Sequence, residues 1–92
     1  MPAALDVEAI STLMAGDRVA AGAALDRSLR ALHGSGRSYE LCALHRLAAE
    51  YWAGDAEQTA FHRTHAYVYA LEAGDAQAEA ALFGALAEDG RI

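Results

Sequence analysis

The sequence predicts an all-α domain of about five antiparallel helices, and three observations carry that prediction. Alanine, the strongest helix former, supplies 24 of the 92 residues, whereas the β-branched Val and Ile together number only five. The tripeptide Ala-Gly-Asp recurs at 15–17, 53–55 and 73–75. Between these corners apolar residues return every three or four positions, the period of a helix with one buried face.

Each corner has a physical reason. Glycine tolerates the left-handed backbone just past a helix end, and an Asp carboxylate accepts from the unpaired N–H groups that open the next helix. Gly16-Asp17, Gly54-Asp55 and Gly74-Asp75 are therefore expected to close one helix and start another, and Gln58 three residues after Asp55 gives the capping-box pattern. A looser corner, "HGSGRS" at 33–38, divides the longest interval, and Asp89-Gly90 ends the pattern. Five helices follow, at 6–15, 17–33, 38–53, 55–73 and 75–88, in one domain spanning 1–92. Short corners make consecutive helices antiparallel or steeply crossed neighbours, as a helical-hairpin array or a compact bundle. Pro2 lies outside all of them and breaks none.

In the second helix Ala21, Leu25, Leu29 and Leu32 share one face, opposite Asp26, Arg27 and Arg30. The third turns Leu41, Leu44, Leu47, Ala48, Tyr51 and Trp52 inward, with Tyr39, Arg46 and Glu50 behind. The fourth carries a bulky face of Ala60, Phe61, Thr64, Tyr67, Val68 and Leu71, and roughly opposite it a small-residue track of Thr59, Ala66, Ala70 and Ala73. A helix apolar on both sides is central or sandwiched, so it is expected to touch neighbours on two sides or a second subunit. The last offers Ala78, Leu82, Ala85 and Leu86, with Phe83 at the margin. Phe61, Tyr51 and Trp52 are expected in the core, and Tyr39 and Tyr69 on polar sides.

The net charge of −6 falls wholly in the second half: residues 47–92 hold two Arg against eight acids, while residues 1–46 balance five against five. No basic stripe exists to neutralise phosphates, so neither nucleic acid nor an anionic membrane is an expected partner. No stretch approaches the roughly 18 apolar residues of a membrane-spanning helix. The opening MPAALDVEAI lacks the cationic and apolar regions of a signal peptide, and a cytoplasmic location is expected.

The chemistry-bearing residues are few. Cys42 is the sole cysteine, so neither an intrachain disulfide nor a thiolate cluster can form, and a small core residue is its expected role. "FHRTH" places His62 and His65 one turn apart, with Tyr69 and Glu72 continuing the stripe and His45 on the third helix as a candidate third ligand. His45, His62 and His65 thus define the alternative reading, a metal-binding or metal-sensing helical protein. Against it stand a solvated polar stripe for His62 and His65 and a core-edge histidine for His45. His33 falls where a helix C-terminus accepts a cap. "HGSGRS" lacks the spacing of a nucleophile elbow and the Gly-Lys-Ser/Thr end of a phosphate loop, so no catalytic residue and no cofactor is expected.

Leu47-Ala48-Ala49-Glu50-Tyr51, followed by Gly54-Asp55 and the small Ala60, resembles the tetratricopeptide-repeat signature, a Leu-Gly-x-x-Tyr helix leading through a corner to a small residue in the second helix. "AYVYALEAGDAQAEAAL", beginning at Ala66, is similar, and the likeness covers residues 41–82. It implies stacked helical hairpins that recognise protein or peptide partners. The expectation is accordingly a non-enzymatic protein–protein interaction module, an adaptor or chaperone-like protein that homodimerises through the second face of the fourth helix. Its partner surface is expected to hold Tyr39, Tyr69, His62, Glu72 and Phe83. The acids Glu57, Glu72, Asp75, Glu79 and Glu88 would favour a basic or amphipathic segment.

Overall fold

The computed structural model describes residues 7–92. Five helices are present, α1 Val7–Gly16, α2 Arg18–Leu32, α3 Ser38–Tyr51, α4 Ala56–Ala73 and α5 Ala76–Glu88, with no strand among the described residues. The expected start of the first helix at residue 6, and Pro2, lie outside the described residues.

Three of the helix starts follow from the repeated aspartate. Asp17, Asp55 and Asp75 each accept through Oδ1 from the backbone N–H three residues on, in Ala20, Gln58 and Ala78, all at 3.1 Å. The glycines before them are not equivalent. Only Gly74 adopts the left-handed conformation, with φ of 70°, and there the Asp75 N–H closes back on the Ala70 carbonyl at 3.0 Å. Gly16 is the final residue of α1 and Gly54 lies in a turn, neither with positive φ. The expected left-handed closure is corrected at both: the extended backbone of Asp17 and Asp55, with φ of −148° and −121°, makes the break instead. The capping box at Asp55 is also half made, because the Asp55 N–H donates to the Trp52 carbonyl at 2.8 Å.

Consecutive helices are neighbours throughout, and α3 additionally meets α1. The molecule measures 39 × 29 × 18 Å, so its shortest dimension is under two helix diameters of about 10–12 Å. Helix α3 divides the core in two. On one side Leu44, Leu47 and Ala48 pack with Ile10, Ala21, Ala24 and Leu25 of α1 and α2. On the other Cys42 packs with Ala66 and Ala70 of α4 and Ala78 and Leu82 of α5. The first cluster is built of branched side chains and the second largely of alanine.

That contrast settles the orientation of α4. Thr59, Ala66 and Ala70 of the small track face inward, the two alanines fully removed from solvent, with Ala60 also buried and Ala73 exposed, while Phe61, Val68 and Leu71 stay 52%, 48% and 49% exposed. Helix α4 touches two neighbours, α3 and α5, with Ala66 and Ala70 in the cluster they share, while Phe61, Val68 and Leu71 on its bulky face stay half exposed. The expected burial of Phe61 is corrected, because methyl groups leave no room for a ring where helix backbones come close. Trp52 is corrected likewise: it lies one residue past the end of α3, 42% exposed and edge-on to Tyr51.

A second close approach lies between α2 and α3. A Cβ added to Gly22 would fall inside the contact distance of the Tyr51 hydroxyl and 2.9 Å from Cζ. Arg18 fixes that ring, its guanidinium carbon 4.3 Å from the ring centroid and its Nη2 donating to the Tyr51 carbonyl. Gly22→Ala is therefore expected to lower stability by about 1 kcal/mol despite alanine's helix preference, yet to raise it by about 0.5–1 kcal/mol in a Tyr51→Ala background. Urea unfolding of the four-member mutant cycle measures this, and an effect of the same sign in both backgrounds contradicts it.

Candidate functional site

The chain's titratable aromatic chemistry gathers where α3 lies on α4. His45 points from α3 towards three α4 side chains, His62, His65 and Tyr69, which the helical period sets along one side of that helix. His45 Nδ1 and His62 Nδ1 are 3.0 Å apart, so one ring donates its N–H to the lone pair of the other. The His45 ring stacks on His65 at 5.2 Å and on Tyr69 at 5.7 Å between centroids. His65 in turn bonds through Nδ1 to the Phe61 carbonyl at 2.9 Å, one turn back on its own helix, and lies against the Phe61 ring at 4.3 Å.

His45 and His62 are each only 8% exposed, which makes the charged form costly. Burial, then repulsion from His62, His65 and His33, lowers the His45 pKa to about 4. Burial and then His65 lower that of His62. The other three histidines of the chain thus all bear on His45. Among the described residues, no three His, Cys, Asp or Glu side chains stand together as a ready-made metal set. Cys42, one turn before His45, is turned into the alanine cluster, where burial raises its pKa. His33 forms the C-cap of α2, its N–H donating to Leu29 at 2.9 Å.

The structure separates the expected partner-surface residues. Tyr39 is exposed at the start of α3. Tyr69 and Glu72 line a shallow recess of about 260 Å³ with Thr64, His65 and Val68, and the Ser38 hydroxyl donates to Glu72 at 3.3 Å. Tyr69 is half-buried against His45 rather than on a free polar side. Phe83 is half-exposed on α5, 6.2 Å from the Tyr67 ring. His62 belongs to a different surface: it is held by His45 and forms part of the wall of a groove with Leu25, Leu29, Tyr51 and Trp52.

Two features escaped sequence reasoning. Phe61, which shares the bulky stripe with Val68 and Leu71, is expected in the core but lies outward; the pair Ala66 and Ala70, four apart, was the signal that the other side is the packing side. The pairing of His62 with His45, instead of with its neighbour His65, depends on how the helices cross and has no sequence signal. The chain matches no family model, no curated protein and no solved structure.

Because the folded-state pKa of His45 lies below its unfolded value near 6.5, the unfolded chain binds the extra proton first as pH falls. The stability from this group is complete above pH 6.5 and is lost progressively towards pH 4. Its loss is expected to be on the order of 2 kcal/mol, below the full shift because the ring edge keeps some contact with water. Unfolding free energies measured between pH 7 and 4 should show this slope and a shallower one in His45→Gln; equal slopes in the two proteins would refute it.

Proposed function

We propose that this protein is a non-enzymatic interaction module whose outer α4 face receives an amphipathic helix. One observation carries the reading: Phe61, Val68 and Leu71, each about half exposed, lie on one stripe of α4, with Thr64 and His65 between them. Apolar residues at helical spacing on an uncovered face are the anchors of helix-in-groove recognition. The likeness of residues 41–82 to tetratricopeptide hairpins supports the same class of function.

The charge around the stripe sets the partner's chemistry. Glu57 and Glu72 stand at its two ends, and the second half of the chain is strongly acidic. A second copy in antiparallel α4 pairing about Thr64 would bring these glutamates against each other, whereas a segment carrying Lys or Arg beside its apolar face meets complementary charge. The favoured partner is therefore a basic amphipathic helix, with self-association the weaker use of the same face.

Two designed helical peptides of equal length, one of Leu and Lys and one of Leu and Glu, test this in a backbone NMR titration. The Leu/Lys peptide is expected to shift resonances around Phe61, Val68 and Leu71, and Val68→Asp should weaken it at least about tenfold even though it adds negative charge. Binding undiminished in Val68→Asp, or shifts away from α4, would contradict the reading.

A further inference from the structure

His45 and His62 are the two buried imidazoles of the chain, and their Nδ1 atoms meet head to head across α3 and α4. We propose that this pair is a binding site for one divalent transition-metal ion of the imidazole-seeking class, represented by zinc(II), held by both Nδ1 atoms with water in the remaining positions. This goes beyond the interaction module and uses a different surface from the outer face of α4.

The distances suit the ion. In a tetrahedral zinc site with Zn–N of about 2.0–2.1 Å, two ligating nitrogens are about 3.3 Å apart. The pair stands at 3.0 Å, so the nitrogens need to separate by about 0.3 Å, with each ring pivoting to bring both lone pairs onto a point off the line between them. The helices hold the ligands for this. The His45 ring stacks against His65 and Tyr69 of α4, and Cys42 of α3 packs with Ala66 and Ala70 of α4, so both donors sit on helices rather than loops.

The protons balance without an acid or base. Only one of the two Nδ1 atoms carries hydrogen; when the ion arrives, that hydrogen moves to Nε2 of the same ring, both rings remain neutral, and none is released. The two donors then match the borderline character of zinc(II), nickel(II) and copper(II). On the α2 side His62, though not His45, forms part of the wall of a groove of about 320 Å³ with Val19, Asp26 and Leu29. The net charge of −6 favours cation approach. Because no third protein ligand is in place among the described residues, the site is open and exchangeable rather than a closed structural one.

The test is calorimetric titration of Zn²⁺ into the untagged, chelator-stripped chain above pH 7, with imidazole ¹⁵N chemical shifts followed in parallel. The expected result is one equivalent bound, with the Nδ1 resonances of His45 and His62 moving together. His62→Gln and His45→Gln should each lower affinity at least about tenfold, while His65→Gln and His33→Gln stay within about twofold. No saturable binding, movement of Nε2 instead of Nδ1, or binding indifferent to His62→Gln would overturn the assignment. The ¹⁵N shifts of the unaltered chain decide the matter even if a variant fails to fold.

Discussion

The contact of α4 with its neighbours through alanine is the constraint on which the rest of the molecule depends. Ala66 and Ala70 are fully enclosed, and with Cys42, Ala78 and Leu82 they form a cluster with few branched side chains. Little apolar area is removed per residue there, so close approach of the backbones has to supply much of the attraction. The branched residues that would normally fill such a layer are concentrated on the far side of α3, around Ile10, Leu25, Leu44 and Leu47. The uncovered stripe of α4 is the consequence: Phe61, Val68 and Leu71 have no inward place, while Tyr67 and Tyr69 pack at the edge of the cluster.

The same contact creates the polar centre. Close helices bring one imidazole of α3 within hydrogen-bond reach of one on α4, in surroundings too dry to tolerate charge on either. The two Nδ1 atoms satisfy each other, and the His65 and Tyr69 rings stack against His45. Ion pairs contribute at the rim instead. Arg63 with Asp89 at 2.5 Å and Arg91 with Glu57 at 2.8 Å tie the end of α5 to the first half of α4, pairs open enough to solvent to add little stability.

How much of this was legible varies with the kind of information each feature needs. Helix number and near-correct boundaries follow from local chemistry, the Asp caps at 17, 55 and 75 above all, because a cap is made by residues three apart in sequence. The inward faces of α2 and α5, and the α3 face towards α1 and α2, follow from a single apolar stripe in each, whereas the second buried face of α3, with Cys42, His45 and Ala49, was not read. Helix α4 has two stripes, and placing Phe61 of the bulkier one in the core failed because the choice depends on the neighbour's surface, which is non-local. Gly16 and Gly54 misled for a related reason: aspartate can break the helix through its own extended backbone, so the preceding glycine need not turn left-handed. His45 was legible as a companion of His62 and His65, but its head-to-head pairing with His62 was not, since residues 17 apart meet atom to atom only as the crossing of two helices dictates.

The central claim is that α4 packs by its alanines and leaves its large residues outside, and unfolding free energies of two adjacent substitutions test it most directly. Under dilute conditions Ala70→Leu should cost at least about 2 kcal/mol by overfilling the contact, while Leu71→Ala should stay within about 0.5 kcal/mol of the unaltered chain. The reverse order, a tolerated leucine at 70 and a costly loss at 71, would mean that α4 faces the other way.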